Sequence, residues 1–225
     1  MPRMKRLVLL GLLLSFVTLG ACSTSRSQES EQTEPNIERE QDAQQVTVLF
    51  LADLHAQLKE HPELFWSDGE ERIVKAGGYA RLADAIDKIK ERRDGKVLVV
   101  DGGDTIQGSG AAALTEGEAV VSPMNELGVD VAIPGNWSVA YGPDVLRKRL
   151  AEQFEHEVFV DNLYDESTGE RIFDPYVIRE IGGVRVAVIG YTDPDIPERQ
   201  PPAYSEGLSY TGPENLAKQI DEVRT

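Results

Sequence analysis

Apolar positions along the chain follow two rhythms. Short continuous blocks, VTVLFLA (46–52), KVLVVD (96–101), VDVAIP (129–134) and VFVDN (158–162), have the length and the Val, Leu and Phe content of buried strands. Between them apolar residues recur at helical spacing. YARLADAIDKIKERR (79–93) sets Tyr79, Leu82, Ala83, Ile86 and Ile89 on one face, with charges opposite and Asp94-Gly95 as its stop. AVVSPMNELG (119–128) reads as a helix with a glycine exit, which requires Pro123 in its first turn, and DVLRKRLAEQF (144–154) reads as another. DESTGER predicts a turn, YVIREIGGVRVAVIG (176–190) a hairpin turning at Gly182-Gly183, and PENLAKQIDEVRT a last helix opened by Pro213. Strands alternating with helices predict an α/β layered domain, a sheet between helices. In such folds sites gather in loops at the carboxyl ends of strands.

The amino terminus departs from this pattern. MPRMKR supplies three basic residues, and LVLLGLLLSFVTLG is an apolar run of signal-peptide length, short for a membrane span. It ends at Leu19-Gly20-Ala21-Cys22, small residues before a cysteine, which resembles the lipobox of bacterial lipoproteins. The plainer alternative is a secretory peptide that happens to contain a cysteine. Residues 1–21 are expected to be a lipoprotein signal peptide and Cys22 the lipidated residue. Cys22 is the only cysteine, so no internal disulfide framework exists. Residues 23–45 are Ser, Gln, Glu and Arg with one strong apolar residue, Ile37, too little to offset the entropy of ordering. Residues 22–45 therefore read as a disordered linker, and 46–225 as the folded domain. The expected location is the cell envelope, on its periplasmic or extracellular face, with the membrane reached through the lipid.

Thirty-nine acidic residues against 23 basic leave a formal net charge of −16. A nucleic-acid partner is not expected, because phosphate contacts need clustered Lys and Arg. An anionic small molecule fits such a domain only if bound cations reverse the local field.

Three strand-end loops carry the residues for that. In LADLHAQL, Asp53 and His55 stand two apart on the extension of a strand, so their side chains leave on the same side. A carboxylate with an imidazole suits Mn, Zn or Fe rather than Ca. In VVDGGDTIQGSG, Asp104 follows a Gly-Gly turn that lets the backbone swing close to whatever sits above the sheet. A carboxylate there can bridge two cations about 3.5–4 Å apart, or merely cap the next segment. Asp101, one step earlier, is better placed to brace the loop. In AIPGNWSVAYG, Asn136 offers a neutral amide oxygen beside Trp137. Asp-x-His, Gly-Gly-Asp and Gly-Asn in that order are jointly far more specific than any one alone.

This series resembles the calcineurin-like metallophosphoesterases, specifically the branch of periplasmic 5′-nucleotidases and UDP-sugar hydrolases. The resemblance runs from about Val46 to the last residue and includes GGYARLADAI, DGGDTIQGSG, MNELGVDVAIPGN, STGERIFDPY and VRVAVIGYT. It implies a four-layer α/β/β/α sandwich holding two divalent metals at strand ends, where a metal-bound hydroxide attacks phosphorus. It further implies that Asp53 and His55 hold the first metal, Asp104 bridges, and Asn136 holds the second. A small-molecule phosphate ester, by default a nucleotide, would be the substrate.

Two departures qualify that expectation. The family reads Gly-Asn-His, and its histidine assists the leaving oxygen; here Trp137 stands in that place. Indole has only an N–H donor and cannot serve as an acid. Tryptophan here, with DGGDTIQGSG, is similar to the SoxB thiosulfohydrolases of sulfur oxidation, although those carry histidine where Asn136 stands. SoxB enzymes use two manganese ions and release sulfate from a cysteine S-sulfonate on a sulfur-carrier protein, a leaving group that needs no acid. Trp137 could equally be a packing residue beside an altered site. The second departure is that the family completes its site with a lone histidine and a Gly-His-x-His segment. Besides His55 this chain has only His61 and His156, both expected to be solvated surface residues. The sequence thus reads as a sandwich truncated at its C-terminal side, with half a dinuclear site and without the substrate-binding domain. A non-catalytic surface lipoprotein is the alternative from outside enzymology.

Overall fold

The computed structural model describes residues 44–224. The expected signal peptide, Cys22 and nearly all of the linker lie outside the described residues. In chain order the elements are β1 (Thr47–Leu51), β2 (His61–Ser67), β3 (Glu70–Ala76), α1 (Tyr79–Arg92), β4 (Val97–Asp101), α2 (Gly110–Thr115), α3 (Glu118–Asn125) and β5 (Val131–Ala132). There follow α4 (Pro143–Leu146), β6 (Glu157–Val158), β7 (Leu163–Asp165), β8 (Tyr176–Ile181), β9 (Val184–Ile189), α5 (Ile196–Arg199), β10 (Leu208–Tyr210) and α6 (Leu216–Val223).

Four strands form a parallel sheet in the order β1-β4-β5-β6, with Thr47 opposite Val97 and Val131 opposite Glu157. Strand alternation divides β4 between two cores. Val97 and Val99 face a cluster with Ile86 of α1, Val120 and Met124 of α3, and Leu146 of α4. Leu98 and Val100 face the other way, onto Phe159 and the antiparallel hairpin β8–β9 through Val177, Val186 and Val188. Helices, parallel sheet and hairpin are thus successive layers of a mixed α/β fold. Burial on both faces explains why β4 is continuously apolar. β1 is different: Leu49 and Leu51 pack on the helical side, but Val48 and Phe50 on the hairpin side are 55% and 67% exposed.

The hairpin turn at Gly182-Gly183 is where the sequence places it, both glycines having positive φ. Other elements differ. Pro123 sits inside α3 rather than in its first turn, because that helix starts at Glu118 behind a left-handed Gly117 and ends soon after the proline. The helix expected over 144–154 is α4 continued by a π-helical stretch, Arg147–Gln153, in which Phe154 N–H reaches Arg149 O at 3.0 Å. Buried Arg149 holds that wide turn by donating to Glu116 O, to Gln153 Oε1 and to Glu118. The apolar pattern of the sequence does not predict the β2–β3 hairpin. Its Asp68-Gly69 turn has both residues at positive φ, the two-residue geometry that matches strand twist. Leu64, Phe65, Trp66, Ile73 and Val74 on its two faces are all exposed.

Candidate metal centre

The site starts from the pairing of β1 with β4. Beyond the last paired residues the two chains remain laced: Asp53, His55 and Ala56 N–H donate to the carbonyls of Gly103, Asp104 and Thr105 at 2.9–3.0 Å. The lacing requires a curled backbone, and Asp53, His55, Ala56 and Asp104 all have φ between 45° and 58°. Four non-glycine residues in the left-handed region, two segments side by side, mark stored conformational cost at a functional loop. Asp53 and His55 do converge, but through this curl rather than through strand alternation, since β1 has already ended at Leu51.

One potential ligand atom from each of Asp53, His55 and Asp104 falls within 4.8 Å of the others. His55 Nε2 lies 3.4 Å from Asp53 Oδ1, and the Gln107 amide engages His55 Nδ1 at 2.5 Å. Asp104 is 5% exposed. Burial raises its pKa, with the Asp53 charge adding, while the Trp137 N–H at 2.7 Å and His55 oppose the shift. Asp101 behind it braces the turn, accepting from Gly103 N–H and the Thr105 hydroxyl. Burial is the main reason its pKa rises to about 6, against the lowering effect of those two bonds.

The third loop packs directly on the second. A Cβ on Gly103 would stand 2.2 Å from Gly135 N, and one on Gly135 equally close to Asp104 Oδ1, so both glycines are needed for this approach. Gly135 N–H donates to Ser138 Oγ and Ser138 N–H returns to Gly135 O, a closed turn that presents Asn136 and Trp137. Asn136 joins Asp53 and Asp104 in lining a cleft of about 200 Å³ whose far wall is Tyr191, Thr192 and Asp193. Trp137 adjoins the cleft through its backbone bond to Asp104, and the residue is 41% exposed. The donor set fits a divalent cation: two acidic oxygens and an imidazole converge where burial already disfavours a bare carboxylate.

Residues 46–218 match the calcineurin-like phosphoesterase family. The chain belongs to the calcineurin-like phosphoesterases. Among curated relatives of this phosphoesterase, a 5′-nucleotidase of Vibrio cholerae is 28% identical over 208 residues, covering 91% of this chain and 34% of the relative. Protein UshA of Escherichia coli is 28% identical over 222 residues, covering 98% of this chain and 36% of its own length. The phosphoesterase thus spans about a third of the curated relatives it matches. Among solved structures, the Thermus thermophilus sulfate thiohydrolase SoxB superposes with a TM-score of 0.69 at 28% identity, over 80% of this chain and 41% of SoxB. A 5′-nucleotidase precursor from Thermus thermophilus gives 0.65 at 29% identity, over 80% and 34%.

One expectation about this phosphoesterase needs correction. His156 is not solvated: its ring packs on Phe154 with centroids 4.8 Å apart and a tilt of 33°, Nε2 is buried without a partner, and burial lowers its pKa to about 4. His61 lies at the surface, its side chain 39% exposed and Nε2 3.0 Å from Glu63, although Nδ1 is buried where Gly77 leaves room for the ring. Neither joins the metal-ligating group found among the described residues. Conversely, Gln107, Gln200, Tyr191, Thr192 and Asp193 also reach the site, although the sequence pattern marks none of them as a candidate. Gln200, buried and 64 positions away, donates to Asn136 O at 2.6 Å. A lone glutamine in a loop carries no sequence signal for such a role; Gln107, inside DGGDTIQGSG, stood in view.

Proposed function

We propose that the chain supplies the first ligands of a dinuclear hydrolase of phosphate esters, nucleotides being the default substrate. One observation carries this: Asp53, His55 and Asp104 are brought within 4.8 Å by curled, mutually laced loops. Asp53 and His55 would hold one cation, Asp104 would bridge, and Asn136 would hold the second. Bound Mn, Zn or Fe would polarise phosphoryl oxygens and make water nucleophilic near neutral pH. The protein's own part is to orient these ligands and to keep Asp104 sheltered between them. Among the described residues few ligands per cation converge, so the chain should bind Mn²⁺ or Zn²⁺ weakly, and Asp104→Asn should reduce what binding there is. Tight two-metal stoichiometry by calorimetry would show that more ligands are present than Asp53, His55, Asp104 and Asn136, and metal binding indifferent to Asp104→Asn would overturn the assignment.

Trp137 favours a second reading, a SoxB-like hydrolase releasing sulfate from a cysteine S-sulfonate on a carrier protein. The two are separated by offering AMP and an S-sulfonated cysteine peptide to the chain extended to its relatives' length. In either case we propose export to the cell envelope and a lipid anchor at Cys22. A non-catalytic surface protein that keeps the fold for binding would turn over neither compound in that extended form.

A further inference from the structure

We propose that Gln107 sets the tautomer of His55, turning its amide oxygen to Nδ1 so that Nε2 is free to ligate. The proposal rests on the metal-centre reading above and extends it to a residue with no ligand role.

The two ring nitrogens of His55 face different partners. Nε2 is on the side of Asp53, 3.4 Å from Oδ1, and Nδ1 faces the Gln107 amide nitrogen, Nε2, at 2.5 Å. A neutral imidazole carries one proton, and Nε2 can offer its lone pair to a cation only when that proton is on Nδ1. An Nδ1–H then needs an acceptor. Gln107 has both kinds of group on one planar amide, and half a turn about its last bond exchanges them. Two self-consistent arrangements follow. In one the glutamine N–H donates to Nδ1 and the ring Nε2–H points at Asp53. In the other Nδ1–H donates to Oε1 and Nε2 is available. The amide and the tautomer therefore switch together.

The backbone keeps this contact in place. Gly108 has φ +113°, and a Cβ there would stand 2.6 Å from His55 O and 2.7 Å from its Cβ. Only glycine lets residues 107–108 lie directly on His55, whose own N–H is fixed to Asp104 O at 2.9 Å. Partners of a ligating histidine's second nitrogen orient the ring and raise its basicity, and losing one costs about 10–100-fold in metal affinity.

The test uses the full chain with Gln107→Glu, which can only accept, and Gln107→Leu, which can do neither. Zn²⁺ affinity is measured by competition with a chromophoric chelator. The His55 tautomer is read from long-range ¹H–¹⁵N correlations, which three histidines leave uncrowded. Gln107→Leu should bind Zn²⁺ about tenfold or more weakly. Gln107→Glu should bind at least as well as wild type and show Nδ1–H before any metal is added, a signature its extra charge alone would not produce. Wild-type His55 should move to that signature as Zn²⁺ is titrated. Unchanged affinity in Gln107→Leu, or Nε2–H retained in Gln107→Glu, overturns the proposal. His55→Ala separates the levels. If it binds Zn²⁺ like wild type, the metal reading itself falls; if it weakens binding while Gln107→Leu does not, only the role of Gln107 falls.

Discussion

Asp104 shows how much one residue can be asked to do. It is nearly buried, carries a left-handed backbone, accepts the Trp137 N–H and adjoins both Asp53 and His55. Its role as a candidate was legible because Gly-Gly-Asp after an apolar strand is a distinctive string. The Trp137 contact was not, since a backbone N–H leaves no mark in a sequence. The side chain of Trp137 raises a separate prediction. In the extended chain, Trp137→His should raise turnover of nucleoside monophosphates more than that of an activated aryl phosphate, because a general acid contributes roughly 10²–10⁴-fold where the leaving group is poor. The two rates measured in both proteins decide it, and an unchanged ratio would assign Trp137 to packing. His156 gives a prediction about stability. Burial lowers its folded pKa to about 4 from an ordinary 6.5, so the unfolded chain binds the proton first as pH falls. Its contribution is complete above about pH 6.5 and is lost as pH drops towards 4, a change on the order of 3 kcal/mol. His156→Phe, which keeps the ring packing on Phe154, should flatten that part of the stability–pH curve in urea titrations. An unaltered curve would show that the ring titrates freely.

At the level of elements, legibility tracked burial. β4 could be located because both its faces are covered, and β8–β9 because two glycines punctuate an alternating pattern. β2–β3 escaped because its apolar residues lie on both faces and remain exposed, so no period marks an inner side. Its Asp68-Gly69 turn was the usable signal. The π-helical turn at Arg147–Gln153 escaped for another reason: it depends on hydrogen bonds from Arg149 to α3 and its flanking loop, thirty-odd positions away. The close approach of the second and third loops was implied by glycines and can be measured. Gly103→Ala must strain φ +94° and meet Gly135 N at 2.2 Å, with no flexible side chain to yield. It should cost about 3 kcal/mol or more, while Gly169→Ala, at φ +70° with nothing nearby, should cost about 1. Equal shifts in melting temperature would mean that the loops relax apart.

For the whole molecule, the proposed anchor predicts that Cys22→Ala leaves the membrane fraction and accumulates unprocessed; equal recovery in the soluble fraction for both forms would dismiss it. Charge matters at this scale too. With a net −16, a cation at Asp53, His55 and Asp104 would locally reverse a field that otherwise repels phosphate. The pairing of β1 with β4 carries one more consequence, in time rather than space. Thr47 meets Val97 about fifty positions along the chain, with β2, β3 and α1 formed in between. Closing so wide a loop is slow because its entropy must be spent before any contact repays it. Asp53 and His55 sit at one end of that loop and Asp104 at the other. A cation that needs all three can be captured only after closure, however early the intervening hairpin and helix appear. Co²⁺ present throughout refolding should therefore acquire its protein-bound visible spectrum no sooner than the phase in which β1 pairs with β4. Capture within the mixing dead time would mean that the ligands meet before the strands do.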